Sequence, residues 1–299
     1  MTSTLILALM MQLVVATKAG LVNHVQGMTN VRATEIVKAG APIRTAPDGY
    51  VEVLLTPGSY LRMAGNSEVV LNSVELSDVS LSINQGVANV EVVELNGEQG
   101  ISVTTGNLTV QVIDAGIYRF GDGIATVIEG RLQTVDPKII YKKGWQLSYT
   151  DTYRAQRISD KDLSALDVFS KKRSELIASA NMTLAPVVQR SGFSQASPYW
   201  VYSPAIGLYT YIPFGNRRSP YGFRYYGVEP IFVIGGPAGT RTANSDTNSR
   251  PSSGSASSSS SGGGSFGGGS PVFSTPSGGS SSPGEYSGSK NPPAARPVP

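Results

Sequence analysis

A mainly β fold is predicted by three features of the 299-residue sequence. Between residues 20 and 150, Gly, Pro, Asn and Asp separate short alternating apolar runs, which is the pattern of strands and turns. The runs recur about every ten residues, as is typical of a β-sandwich or roll. No amphipathic helix interrupts them, so a parallel sheet of βαβ units is disfavoured. A faint internal repeat also leaves a short β-solenoid-like domain open.

The clearest turn signal in this region is Asn96-Gly97. Val87 to Leu95 and Gly100 to Thr104 are the apolar runs on either side of it. Both central residues of a type I′ turn have positive φ, which Asn and Gly tolerate, and the twist of this turn matches that of paired strands. The pattern therefore predicts a β-hairpin between the two runs.

Residues 1–19 have the pattern of a cleaved secretory signal peptide. Thr4 to Ala16 is an uncharged apolar run, and it is too short to cross a bilayer, which needs about 20 helical residues. Small residues follow the run, so cleavage after Ala16 or after Ala19 fits the pattern. The alternative is a buried N-terminal strand or helix. We expect a periplasmic or secreted, envelope-associated protein without a transmembrane span after cleavage.

One amphipathic helix is predicted in residues 151–190. It should run from Asp160 to about Ala180, because apolar residues recur there at the 3.6-residue spacing of a helix. Ser159 can accept a hydrogen bond from an unpaired amide of the first turn, and Asn181 suits the position after the last turn. The apolar stripe should pack on an open face or end of the β region.

Two segments of different composition follow the helix. Residues 191–236 are rich in aromatic residues and punctuated by Pro and Gly, which predicts short β strands. Residues 237–299 are mainly Gly, Ser and Pro. Because such a segment has too little apolar surface to offset the entropy of ordering, a disordered tail is predicted.

The β region, residues 20–150, resembles the FecR domain, a periplasmic module of iron-transport regulators and other exported bacterial proteins. The resemblance is carried by AGAPIRTAPDGYVEVLLTPGSYLRMAGNSEVVL (Ala39 to Leu71), INQGVANVEV (Ile83 to Val92), GIYRF (Gly116 to Phe120) and VIEGRLQTV (Val127 to Val135). Shared features are a Gly-x-x-Ile-x-Thr start, an LLTPGS edge strand and a late strand with a central glycine. The helical segment KKRSELIASAN and the aromatic segment also resemble exported FecR-domain proteins of acidobacterial type.

The resemblance implies a compartment and a role. Well-known FecR proteins have a cytoplasmic sigma-factor-binding segment, a transmembrane helix and then the periplasmic domain, which receives a signal from an outer-membrane transporter. This sequence matches neither of the first two segments. We therefore expect the module and its place in the bacterial cell envelope, but not direct control of a sigma factor.

Composition and motifs disfavour an enzyme and a nucleic-acid partner. The net charge is only +3 and the basic residues are scattered, whereas a duplex-binding surface gathers Lys and Arg on one face. The absence of Cys excludes disulfides and thiolate sites. For His24, the only histidine, a surface or hydrogen-bonded role on a strand is favoured over catalysis or metal binding. No catalytic residue, cofactor or metal site is predicted.

Two other patterns have structural interpretations. The G-x-S-x-G match at Gly263 to Gly267 lies in low-complexity sequence, without the strand and helix that a nucleophile elbow requires. Glu91, Glu94 and Glu98 flank the predicted hairpin. They are interpreted as solvated strand residues, because a calcium site needs a tight loop of alternating oxygen ligands.

The aromatic segment contains the candidate binding residues. Exposed Trp and Tyr side chains can stack on sugar rings or anchor a protein partner. The candidates are Trp200, Tyr209, Tyr211, Tyr221 and Phe223. The alternative is that these side chains fill a small core or cover the helix.

Two functions remain open at this point. The first is a non-enzymatic interaction or signalling module of the cell envelope, which contacts envelope proteins through sheet edges or the aromatic surface. The second is a protein that binds glycan or the cell wall through the aromatic side chains.

Overall fold

The computed structural model describes residues 13–14, 18–97, 99–158, 164–191 and 198–227. The chain divides into two compact units, Met1–Gly235 and Gly236–Pro299, and all described residues belong to the first. The predicted tail and most of the predicted signal peptide therefore lie outside the described residues.

The described residues form twenty strands and one helix. In chain order they are β1 (Leu13–Val14), β2 (Leu21–Gln26), β3 (Pro42–Arg44), β4 (Tyr50–Leu54), β5 (Ser59–Met63), β6 (Glu68–Ser73), β7 (Val79–Gln85), β8 (Val87–Val92), β9 (Ile101–Thr105), β10 (Leu108–Val112), β11 (Gly116–Gly121), β12 (Ile124–Glu129), β13 (Arg131–Thr134), β14 (Ile140–Lys142), β15 (Trp145–Tyr149), β16 (Tyr153–Arg157), α1 (Ala165–Arg190), β17 (Tyr199–Ser203), β18 (Leu208–Ile212), β19 (Arg217–Arg218) and β20 (Arg224–Tyr225).

Two large sheets enclose one hydrophobic core. The eight-stranded sheet has the order β16-β15-β12-β11-β8-β5-β4-β2, and the seven-stranded sheet has the order β14-β13-β10-β9-β7-β6-β3. In both sheets the strand order is the order of the strands along the sequence, so the chain runs from one end of the sandwich to the other. Neighbours pair antiparallel except β7 and β9, which are parallel. The predicted mainly β fold is confirmed, as a sandwich that advances along one axis.

Alternating side chains build the core between the sheets. In β7, Val79, Leu81 and Ile83 are buried, and the serines between them are half-buried. Each fully buried Val or Leu side chain stabilises the fold by roughly 1.5–3 kcal/mol, because its apolar surface leaves water. The apolar residues that recur at every second position of the sequence are therefore the ones on the inward face of each strand.

The chain passes between the sheets at glycines with positive φ. Gly86 joins β7 to β8 with φ 74°, and Gly130 joins β12 to β13 with φ 91°. A Cβ on Gly130 would lie 2.2 Å from the hydroxyl oxygen of Tyr118 and 2.6 Å from the carbonyl oxygen of Ala115. Glycine avoids both the backbone strain and this overlap.

The predicted hairpin at Asn96-Gly97 is wrong. β8 lies in the eight-stranded sheet and β9 in the seven-stranded sheet, so the residues between them form a crossover. Neither Asn96 nor Gly97 has the positive φ of a type I′ turn. Turn residues favour a change of direction but do not determine which sheet receives the next strand.

The predicted helix exists, with a different start. Ser164 caps α1: its hydroxyl accepts from the Asp167 amide, and the Asp167 carboxylate accepts from the Ser164 amide. This reciprocal pair is a capping box. The predicted cap at Ser159 and the first predicted turn lie outside the described residues. Residues 153–157, placed in the helical segment by the sequence, form strand β16.

The end of the helix was predicted too early. α1 continues past Asn181 to Arg190. Asn181 therefore lies inside the helix, and its side-chain amide nitrogen donates to the backbone oxygens of Tyr211 and Tyr226, at 2.8 and 3.0 Å. A residue type that often ends helices is used here for a tertiary contact.

Replacement of Gly130 by alanine should destabilise the fold more than the same change at Gly123. Both glycines have positive φ, but a Cβ at Gly123 meets nothing within 4 Å. Gly123→Ala should cost about 1–2 kcal/mol of backbone strain, and Gly130→Ala clearly more. Urea denaturation measures both values. Equal costs would show that the overlap with Tyr118 and Ala115 relaxes freely.

Candidate functional site

The outer face of the eight-stranded sheet is polar yet buried. Glu52, Arg62, Asn89 and Arg119 face one another across neighbouring strands β4, β5, β8 and β11. They alternate with core residues, which is the pattern of a sheet face in water. Helix α1 covers this face, so Glu52 and Arg62 have no exposed surface. We call this region the covered face.

Four charged side chains form a buried cluster at the covered face. The Arg62 Nε donates to Glu52 at 2.7 Å, and its Nη1 donates to Glu91 at 2.5 Å. From α1, the Arg173 Nη2 donates to the other oxygen of Glu52 at 2.8 Å. Ser174, next along the helix, donates to Glu91 at 2.7 Å. The helix is therefore joined to the sheet by charge-assisted hydrogen bonds.

The two carboxylates of the cluster differ in acidity. Burial opposes ionisation of Glu52, but Arg62 and Arg173 outweigh it and lower the pKa of Glu52 to about 2. At Glu91, burial outweighs the single nearby guanidinium of Arg62, so the pKa of Glu91 is raised. The difference arises because Glu52 accepts from two guanidiniums and Glu91 from one.

A second polar contact fixes the start of the helix on the sheet. Asp167 pairs with Arg119 and accepts from the Asn89 side-chain amide at 3.0 Å. Burial raises the pKa of Asp167, but the hydrogen bonds from Arg119, Ser164 and Asn89 outweigh it, so its pKa is lowered. Asp167 thus caps its own helix and anchors that helix to the sheet.

The β17–β18 hairpin is held by hydrogen bonds between polar side chains and backbone groups. Asn23, on β2, accepts from the Tyr209 amide at 2.7 Å and donates to the Tyr209 carbonyl at 3.1 Å. Thr210 donates to the helical carbonyl of Ile177 at 2.6 Å. The hairpin is thus hydrogen-bonded to both the sheet and α1.

The predicted aromatic candidates lie partly inside this packing. Trp200 and Tyr211 have no exposed surface. The Trp200 ring meets Tyr60 edge-on, with centroids 5.2 Å apart, and meets Tyr211 at 5.9 Å. The interpretation of these two residues as exposed stacking residues is therefore corrected: they fill a core between hairpin, helix and sheet. Tyr209, Tyr221 and Phe223 are half-buried, and their binding role stays a prediction.

Two of the three glutamates interpreted as solvated are not free in water. Glu91 belongs to the buried cluster. Glu94 accepts a bidentate pair from Arg217, at 2.9 Å for both bonds, and also accepts from the Tyr211 hydroxyl at 2.5 Å. Glu98 lies outside the described residues. Sequence spacing could not show these partners, because they come from distant segments.

The described residues contain no group of three or more His, Asp or Glu side chains that could hold a metal ion. His24 is half-buried and stacks against Phe169, with ring centroids 6.1 Å apart. Burial, followed by the charge of Arg173, lowers the pKa of His24. The one helix among the described residues, α1, is not apolar enough over its length to cross a membrane.

Comparison with protein-family models identifies the central part of the sandwich. Residues 41–133 match the family model described as FecR protein. These matched residues are the FecR domain of the chain. The match begins just before β3 and ends within β13, so the first strand of the sandwich, β2, its last three strands and α1 lie outside it.

Two solved structures are similar to the chain that carries this FecR domain. Both are crystal structures of a candidate anti-sigma factor from Parabacteroides distasonis ATCC 8503. One is 13% identical, with coverage of 48% of this chain and 72% of the other and a TM-score of 0.34. The second is 10% identical, with coverage of 45% and 65% and a TM-score of 0.35. No curated protein matches the chain.

Removal of Arg173 should loosen α1 from the FecR domain. Arg173→Met leaves Glu52 with one guanidinium in a buried site, and loss of one partner of a buried pair costs about 3–5 kcal/mol. Lys172→Met, on the exposed side of α1, should change stability by less than about 0.5 kcal/mol. Urea denaturation gives the free energies, and hydrogen exchange should show faster exchange in α1 only for Arg173→Met. Similar values for both variants would contradict a stabilising role of the cluster.

The stability of the protein should fall in acid partly through Glu52. Its pKa is about 2 when folded, against 4.5 unperturbed, so the stability from its ionised form is present above about pH 4.5 and lost as the pH falls towards 2. Glu91, with a raised pKa, acts in the opposite direction. Urea midpoints across this window should decline more steeply in the wild type than in Glu52→Gln. Parallel curves would show that Glu52 is not the titrating group.

Proposed function

We propose that this chain is an exported, non-enzymatic FecR-domain protein that acts as a protein-interaction or signalling module in the bacterial cell envelope. The observation that carries the proposal is the FecR domain at residues 41–133. FecR domains are typically found in envelope-associated signalling proteins, which supports both the compartment and the class of partner.

The chemistry of the buried charges supports a non-enzymatic role. The pKa of Glu52 is lowered to about 2, and a strongly shifted pKa often marks a catalytic group. Glu52 and its partner Arg62, however, have no exposed surface. They bond to each other, and Glu52 also bonds to Arg173 of α1, which covers them, so a substrate has no access to them. Their role in the proposal is to hold α1 on the sheet.

The proposed organisation follows the composition of the chain. Residues 1–19 are the export signal, 20–150 the FecR-like β domain, 151–190 the helical segment, 191–236 the aromatic segment and 237–299 a disordered tail. In the structure, β1 pairs with β17 at Trp200 and Val201. Cleavage of the signal would remove β1 and leave that edge of β17 unpaired.

Export is tested by mass spectrometry of fractionated cells that produce the protein. The periplasmic or secreted fraction should contain a chain that begins after Ala16 or after Ala19. An intact, uncleaved chain in the cytosol would contradict the proposal.

The class of partner is tested on the same mature protein. Chemical cross-linking in envelope preparations should yield specific protein adducts, and heat-denatured protein is the control. Co-sedimentation with purified peptidoglycan measures the alternative, glycan binding through Tyr209, Tyr221 and Phe223. Retention on peptidoglycan without protein adducts would replace the first function by the second.

A further inference from the structure

The two ends of the sandwich differ in how their edges are covered. At the N-terminal end, an irregular segment lies along the edge of β2. The Val22 amide donates to the Glu35 carbonyl at 2.8 Å, the Thr34 amide to the Val22 carbonyl at 2.8 Å, and the Val37 amide to the Gly20 carbonyl at 2.9 Å. This segment blocks the edge, as terminal caps do in proteins built by stacking along one axis.

The C-terminal end has no such cover among the described residues. β16 and β14 are the outermost strands of the two sheets there, and no described strand pairs with their outer edges. The Ile158 amide donates to the Gly144 carbonyl at 3.1 Å, which fixes the phase of the antiparallel β15–β16 ladder. In that phase Tyr153, Ala155 and Arg157 direct their backbone amides and carbonyls away from β15. β16 therefore offers the groups that a further strand needs.

Apolar and aromatic side chains collect at this open end. Val135, Ile139 and Ile140 are exposed by 46%, 40% and 48%, although all three lie in or beside the β13–β14 turn. The last layer of the core consists of half-buried aromatic residues. They are Tyr141, Trp145, Tyr149 and Tyr153. An exposed apolar cluster beside unpaired strand edges is characteristic of an interaction surface.

The charge at this end is basic. Exposed basic side chains without an ion pair among the described residues are Lys138, Lys142, Arg154 and Arg157, and the corresponding acidic ones are Asp136 and Asp151. The guanidinium of Arg157 lies 4.7 Å from the ring centroid of Trp145. A partner strand with carboxylates would find complementary charge here.

We propose that the outer edge of β16 binds an extended, acidic polypeptide segment of another protein by β-strand addition. The segment hydrogen-bonds the outward backbone groups of Tyr153, Ala155 and Arg157, and its carboxylates meet the basic side chains. This inference rests on the proposed interaction function and assigns that function a surface and a partner chemistry. The surface lies beyond the residues that match the FecR family model.

Two other occupants fit less well. A second copy, paired edge to edge through β16, would bring Arg154 and Arg157 of both chains together, and like charges across a ladder are unfavourable. The chain's own residues 228–299 contain three acidic and four basic residues, so they lack the required charge. An acidic segment of another protein avoids both conflicts.

The test uses a fluorescein-labelled peptide of alternating glutamate and valine, and a matched peptide of alternating lysine and valine. Fluorescence anisotropy with the full chain should show binding of the glutamate peptide, at least about tenfold tighter than the lysine peptide. Equal affinities, or no binding, would overturn the proposal. The basic residues would then serve to prevent aggregation through the unpaired edge of β16.

Ala155→Pro removes one outward amide but none that bonds to β15, and proline is tolerated at such edge positions. This substitution should weaken binding of the glutamate peptide by about tenfold or more, because a backbone hydrogen bond is lost and the proline ring obstructs the strand edge. Ala155→Val keeps the amide and is the control, with affinity near that of the wild type. Unchanged binding by Ala155→Pro would contradict strand addition.

Two further measurements keep the test independent of that variant. In the wild type, hydrogen exchange should slow at Tyr153, Ala155 and Arg157 when the glutamate peptide is added. Slower exchange at other residues instead would contradict binding at the β16 edge. Dimerisation without peptide, detected by size-exclusion chromatography, would show that a second copy of the chain occupies this edge, which would also contradict the proposal. If peptide binding fails while envelope cross-links persist, this surface is wrong and the proposed function stands. If the peptide binds but the chain is cytosolic, the proposed function fails alone.

Discussion

The structure depends on the buried pairing of Glu52 and Arg62 with Arg173. Two strands of the sheet contribute Glu52 and Arg62, and a helix that follows much later in the chain contributes Arg173. A charge buried without its partner costs several kcal/mol, so the three groups are stable only together. Their pairing places α1, and α1 in turn positions the aromatic hairpin through Thr210 and Asn181.

Most of the sandwich could be predicted from the sequence because its inward side chains repeat every two residues. The β7 pattern of Val79, Leu81 and Ile83 is an example. The crossover at Asn96-Gly97 could not be predicted, since local turn preference carries no information about which sheet comes next. The extension of α1 past Asn181 was missed for a related reason: a tertiary hydrogen bond overrides a local stop signal.

The candidate site was harder to predict because its polar residues follow the same alternation as solvent-exposed ones. Glu52, Arg62 and Asn89 are what the outer face of an open sheet would contain, and only the position of α1 shows that they are buried. The aromatic segment contains the binding residues that the sequence predicted. Two of its candidates, Trp200 and Tyr211, point inward because a hairpin lying on a sheet needs a core of its own.

The long sequence separation between Glu52 and Arg173, 121 positions, has a consequence for biogenesis. Because the strands of the sandwich follow one another in the chain, most of their pairing needs only short loops, whereas docking of α1 closes a long one. We infer that the sandwich assembles while its outer face is still hydrated. The same carboxylates and guanidiniums that later lock the helix in place would then keep this intermediate soluble and discourage premature association.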